Sequence, residues 1–207
     1  MKRVLSEDSN CVDVGAHRGA ILRPVFKFAP NGTHYAFEPI PDLYQDLVRS
    51  FPAARVYRIA LSDKSGVATF HHVTRYPGYS GLLRRRYPRH NVDVRQIEVK
   101  QDTLDNVLGE KGSIDFMKID VEGAELNVLK GAERTIQNNK PIIIFEHELG
   151  AVEQYGTAPS EIYGLLSDYG LSVSLLRNWL RNEKPLNRKD FVEHFERGTV
   201  INFMAYP

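Results

Sequence analysis

Short β-rich apolar runs alternate with helix-like stretches along most of this chain, and that alternation limits it to a narrow set of folds. "NCVDV" precedes "GAILRPVFKFA", and "THYAFE" precedes "PDLYQDLVRSF". "SIDFMKIDV" precedes "GAELNVLKGAERTIQNN", and "PIIIFEHE" precedes "SEIYGLLSDYG". A strand that returns beside the previous one through a helix makes a parallel sheet covered on both faces. "IIIF" and "YAF" suit strands buried on both sides. The pattern predicts one long helix after Val121, with Leu126, Val128, Leu129, Ala132 and Ile136 at near-helical spacing, Gly131 as a small interruption and Pro141 beyond its end.

Three segments depart from the alternation. "ARVYRIALS" reads as a strand ending at a turn, "DKSG", and "GVATFHHV" follows as a hairpin strand. Residues 75–95 read as a loop with a basic cluster. The C-terminal part offers two strands, "LSVSLLRNW" and "GTVINFMAYP", around a charged insertion at 178–197. No linker divides the 207 residues, so a single domain, 1–207, is expected. The net charge of +1 favours no polyanionic partner. The single cysteine, Cys11, excludes an internal disulfide and fits a reducing compartment. No apolar run is long enough to span a membrane, and "MKRVLSEDSN" is too polar for a signal peptide, so a cytoplasmic location is expected.

"CVDVGAHRG" places Asp13, Gly15 and Gly19 on the first strand-to-helix turn, where a parallel sheet binds ligands. Two glycines so close imply that the backbone leaves room for something. A dinucleotide fingerprint fails, because its first and third glycines fall on Asp13 and Arg18, and no phosphate-loop lysine follows. An aspartate suits the positive charges of S-adenosylmethionine better than a pyrophosphate. Glu38 ends the second strand 19 residues after Gly19, near the spacing used to grip ribose hydroxyls.

"DVGAHRG", "FEPIPDLY", "ALSDKSG", "DTLD", "IDFMKIDVEGAELNVLKGA" and "IIIFEHE" occur in that order. Together they resemble the FkbM family of S-adenosylmethionine-dependent methyltransferases, over nearly the whole chain. The resemblance implies an α/β, Rossmann-like class I methyltransferase fold: a mostly parallel sheet of about seven strands with an antiparallel last strand. It implies O-methylation of a hydroxyl on a sugar, glycan or secondary metabolite. By position, Asp13, Gly15 and Gly19, with Ala16 and His17 between them, would line the methionine end of the cofactor. Glu38, followed by Pro39, would hold the ribose, Ala60 and Leu61 would sit near the adenine, and Asp120 would face the reactive centre. Family members often carry asparagine where His17 stands. They also commonly carry a longer segment before the first strand, so a second copy or another partner chain is one way to cover the cofactor here.

A sugar hydroxyl needs a general base. His147 is the leading candidate, with Glu146 or Asp120 as alternatives, and Asp120 and Glu122 point to one side if the strand continues through them. Glu122 also reads as a first-turn helix acid. These groups could hold magnesium, but the sequence fixes no coordination set, and none is assigned. In "RRRYPRH", Arg84, Arg85, Arg86, Arg89 and His90 suit a lid over an acidic acceptor. A nucleic-acid surface is disfavoured by the net charge and by "DVEG" standing where amino-methylating DNA enzymes carry an NPPY-like motif. Two rivals stand beside the methyltransferase: a cofactor-binding module without turnover, and an NAD(P)-dependent oxidoreductase.

Overall fold

The computed structural model describes residues 1–87, 92–109 and 112–207. The first half runs β1 (Cys11–Val14), α1 (Leu22–Phe28), β2 (His34–Phe37), α2 (Pro41–Ser50), β3 (Arg55–Tyr57), β4 (Ile59–Leu61) and β5 (Gly66–Val73). It continues through β6 (Val94–Asp102), α3 (Leu104–Leu108), β7 (Phe116–Ile119), α4 (Glu125–Lys130), α5 (Glu133–Asn139) and β8 (Ile142–Glu146). The C-terminal part adds α6 (Pro159–Asp168), β9 (Ser172–Ser174), α7 (Leu176–Leu180), α8 (Arg188–Glu196) and β10 (Asn202–Tyr206).

Seven strands form one sheet in the order β3-β2-β1-β7-β8-β10-β9, in which β10 runs antiparallel to both neighbours. The pairs from β3 to β8 are parallel. This is the α/β class expected, with an antiparallel last strand. Every residue of β1 and β2 is buried, as strands covered on both faces must be. From β1 the order of strands grows outward to β3, then returns to β7 on β1's other side. The point of reversal therefore lies between β1 and β7, and the crevice above it is where such sheets take ligands.

Four expectations are corrected by this architecture. The run "ARVYRIALS" is two strands, because β3 joins the main sheet while β4 pairs with β6 in a second, three-stranded sheet, β4-β6-β5. The basic segment 75–95 ends inside β6, a strand whose mostly polar sequence hides it; β5 is its antiparallel partner, from Gly66↔Gln101 to Val73↔Val94. The long helix after Val121 is broken into α4 and α5. Gly131 stands at the break, where a Cβ would lie 2.0 Å from the carbonyl oxygen of Ser62. Finally, "LSVSLLRNW" is a three-residue strand followed by a helix, and the charged insertion contains α8, whose Phe191 and Phe195 are buried. Arg89 and His90 lie outside the described residues. Among the described residues, no helix is long and apolar enough to cross a membrane.

Candidate active site

Above the C-terminal ends of β1, β2, β4, β7 and β8 lies a cavity of about 460 Å³, within the range that encloses a small organic ligand. Asp13, Gly15, Ala16, His17, Glu38, Pro39, Ala60, Leu61, Asp120 and Glu146 all line it.

The turn after β1 is held by main chain. The amides of Gly15 and Ala16 both donate to the carbonyl of Phe37 at 3.0 Å, tying the end of β1 to β2. Gly15 has φ +74°, a conformation that glycine alone adopts freely. A Cβ there would lie 1.9 Å from the carbonyl oxygen of Asp120. Its missing side chain thus lets the turn pass against the end of β7. Gly19 does not line the cavity. A Cβ on it would lie 2.3 Å from the ring of Phe51, so this glycine makes room for the packing of the residue that follows α2. The two glycines do leave space, but both spaces are filled by protein.

Glu38 is 4% exposed. One carboxylate oxygen accepts from the His17 amide at 2.9 Å and the other from the Ile40 amide at 2.9 Å. Burial pushes its pKa up to about 7, against the pull of those two N–H groups. Asp13 is buried in mid-strand, with neither carboxylate oxygen hydrogen-bonded among the described residues. Burial raises it to about 6, partly offset by Lys118. Lys118 stands directly opposite Asp13 in the β1–β7 register. Its ammonium lies 2.9 Å from Asp120, 3.2 Å from the Gly15 carbonyl and 3.9 Å from Asp13. Sequence reasoning missed Lys118, although strand parity puts it on the face of Asp120 two residues later.

Past Ile119 the strand ends, and Glu122 has φ +58°. Asp120 and Glu122 nevertheless both reach the cavity, through a turn rather than through continued strand geometry. Glu125 ties this turn: its carboxylate accepts from the amides of Val121 and Gly123, each at 3.1 Å. Gly123 gives the turn its close approach to the Ala151 carbonyl, which a Cβ would meet at 2.5 Å. Asp120, Glu122 and Glu146 each present an oxygen within 4.8 Å of the others. That trio could hold a cation, and two of its members already pair with protein cations: Asp120 with Lys118, Glu122 with Arg85. Burial, then the charges of Asp120 and Glu122, push Glu146 up to about 8.

His147 is corrected by the structure. Glu146 faces the cavity, and the next residue of an extended chain faces the other way. His147 is 1% exposed, its ring 4.5 Å from that of Phe195 and 5.8 Å from that of Phe191. Among the described residues both ring nitrogens lack hydrogen-bond partners, and burial pushes its pKa down to about 4. It is a neutral core group and does not meet the cavity. Arg85, from the basic segment, is also not a free anion receptor: its guanidinium pairs with Glu122 and, at 2.8 Å, with Glu148.

The model of the FkbM methyltransferase domain matches residues 13–173. Among curated proteins, the chain is 29% identical to the AMB antimetabolite synthetase AmbE of Pseudomonas aeruginosa, over 86% of this chain and 10% of that protein. It is 26% identical to the 2-O-methyltransferase NoeI of Sinorhizobium fredii, over 64% of this chain and 61% of NoeI. It is 29% identical to the 31-O-demethyl-FK506 methyltransferase FkbM of Streptomyces tacrolimicus, over 78% of this chain and 72% of that enzyme. The chain thus spans a tenth of the first of these relatives and under two thirds of the second. The crystal structure of a methyltransferase FkbM from Methylobacillus flagellatus shares the fold, with a TM-score of 0.58 at 16% identity, over 98% of this chain and 44% of that one. With the family model spanning most of its length and the cavity at the matching turns, this chain belongs to the FkbM methyltransferase family.

Proposed function

We propose that this protein transfers a methyl group from S-adenosylmethionine to a hydroxyl of a neutral acceptor, a sugar, glycan or secondary metabolite. The observation that carries this reading is the division of the cavity into two unlike ends. One end is an apolar pocket of Ile40, Ile59, Ala60, Phe70 and Leu82 beside the Glu38 carboxylate, which suits a flat base and its ribose hydroxyls. The bare, buried carboxylate of Asp13 lies between that end and the Lys118–Asp120 pair. Such a floor, with carboxylates and an ammonium, matches the zwitterionic amino-acid part of the cofactor. The other end carries Asp120, Glu122 and Glu146.

When bound, the cofactor supplies an electrophilic methyl group on a sulfonium. The protein's part is to orient the acceptor oxygen and to remove its proton. Glu146 is the best-placed base. It lines the cavity, and its raised pKa brings its proton affinity near neutral pH, where general bases work best. Lys118 fixes the neighbouring Asp120 carboxylate in one position. The carboxylates at this end, with Arg85 already paired to Glu122 and to Glu148, would repel an anionic acceptor at close range. The acceptor is therefore neutral rather than acidic. One relative is named a 2-O-methyltransferase and another a 31-O-demethyl-FK506 methyltransferase; those names support oxygen as the methylated atom.

Calorimetry with S-adenosylhomocysteine, with NAD as the control, tests the cofactor. Micromolar or tighter binding of the first and none of the second is expected. Transfer of labelled methyl to a panel of neutral, amino and uronic sugars then tests the acceptor. Binding without transfer to any of them would favour the cofactor-binding module, and NAD binding would revive the oxidoreductase.

A further inference from the structure

The basic segment, which the reaction itself does not use, also walls the cavity. Pro77, Gly78, Ser80 and Leu82 line it opposite the turns of the main sheet. Up to Gly81 this wall is attached to β5. The Ser80 hydroxyl accepts from the Val73 amide at 2.9 Å, and Gly81 and His71 exchange main-chain bonds at 2.8 and 3.3 Å. Beyond Gly81 the chain leaves the small sheet and is fastened by side chains. The Leu83 amide donates to the Tyr155 hydroxyl at 3.1 Å. Arg85, 8% exposed, reaches across to Glu122 on the turn after β7 and to Glu148 beyond β8. Its guanidinium also lies over the ring of Tyr79, 5.3 Å from the centroid. One planar fork thus joins three separate segments, a geometry that an ammonium cannot reproduce.

We propose that Arg85 is a positioning residue that holds segment 77–85 down as the movable wall of the cavity, and that cofactor and product exchange by lifting this wall. The inference rests on reading the cavity as the cofactor site. The remaining walls are mostly strand ends and turns held by the ladders of the main sheet and, at Ile59, Ala60, Leu61 and Phe70, of the small sheet, which cannot open without breaking those ladders. Beyond Gly81 the strap is held, among the described residues, by side chains: the Tyr155 hydroxyl at Leu83 and the Arg85 fork. When Arg85 is removed, the attraction that draws the strap onto Glu122 and Glu148 is lost, and the closed form loses stability relative to the open one.

The test uses the whole chain and three variants, Arg85→Gln, Arg85→Lys and the milder Glu148→Gln, which removes one arm of the fork from a side chain that is partly exposed. Hydrogen exchange of the 77–83 amides is measured without ligand, and S-adenosylhomocysteine dissociation by rapid displacement. In Arg85→Gln, exchange confined to 77–83 should rise at least tenfold, and dissociation should accelerate by a similar factor. Glu148→Gln should fall between it and the wild type, and Arg85→Lys should restore only part of the loss. Unchanged exchange in 77–83, or faster exchange spread through β1 and β7, would overturn the proposal, as would unchanged dissociation. If the wild type does not bind S-adenosylhomocysteine at all, the cofactor reading fails. The exchange result then still decides by itself whether Arg85 fastens this wall.

Discussion

Between β1 and β2 the cavity is shaped by main chain, and between β7 and β8 it is shaped by charge. At the first end, carbonyls and amides of Phe37, Gly15, Ala16, His17 and Ile40 fix the turns, and Glu38 is locked between two of those amides. At the second end, Lys118 and Arg85 offset the carboxylates of Asp120 and Glu122, and burial and neighbouring charges push the pKa values of Glu122 and Glu146 upward. Main-chain geometry is stiff and indifferent to pH, so it suits a ligand that every turnover must hold in one way. A balance of charges responds to small changes, so it suits proton transfer and the choice of acceptor. Variants at the two ends should therefore fail differently.

The sharpest separation is expected from Glu146→Gln. An amide keeps the shape of the carboxyl and cannot take a proton. Turnover of an accepted substrate should fall roughly a hundredfold to ten-thousandfold. The affinity for S-adenosylhomocysteine should stay within about twofold of wild type. A comparable loss in both would place Glu146 at the cofactor end and erase the distinction. At the other end, Gly15→Ala should act through folding. Its methyl group would overlap a carbonyl oxygen at 1.9 Å, and no rotamer change relieves a main-chain clash. The loss of stability should be at least about 3 kcal/mol, visible in urea unfolding before any ligand is added. Gly19→Ala meets a ring instead, which can shift, so it should be milder and should spare the cavity.

How much of this was legible in the sequence divides along the same line. The parallel sheet, the site above β1 and the acids of "KIDVEG" follow from local patterns: apolar runs, a glycine turn, carboxylates at strand ends. Gly15 and Glu38 could be found because their spacing is a property of one βαβ unit. His147 could not be placed from sequence. Its neighbour Glu146 carries the same strand-end signal, and only the register of β8 against β10 decides which of the two enters the core. Lys118 was visible by parity alone. Arg85 was hidden because its partners, Glu122 and Glu148, lie 37 and 63 residues away. The strand β6 was hidden for a different reason. It belongs to a small sheet with little buried surface, so its sequence carries few apolar residues.

Glu38→Ala gives a smaller effect. Losing a charge-assisted hydrogen bond costs about 1.5–3 kcal/mol. Affinity for S-adenosylhomocysteine should therefore drop roughly tenfold to a hundredfold. The amides of His17 and Ile40 would also lose their acceptor, so Glu38→Gln is the informative partner. It retains one oxygen acceptor and should recover part of the binding. Unchanged affinity in a folded Glu38→Ala protein would remove Glu38 from the cofactor end.

The least conspicuous effect should come from His147, which belongs to neither end. Its folded pKa of about 4 lies below the ordinary value of 6.5, because burial among Phe191 and Phe195 disfavours the imidazolium. Between those two values the unfolded chain binds more protons than the folded one, so stability rises with pH through this window. His147 contributes fully above about pH 6.5, and its contribution is lost as the pH falls toward 4. From pH 7 to pH 5 the wild type should lose about 2 kcal/mol through this group. His147→Leu should flatten that part of the profile, as measured by urea unfolding at several pH values. It should leave the pH dependence of turnover unchanged, since the ring is sealed away from the cavity on the far face of β8. A variant that instead shifted the turnover profile would return the base to His147 and require the end of β8 to turn over in the working enzyme.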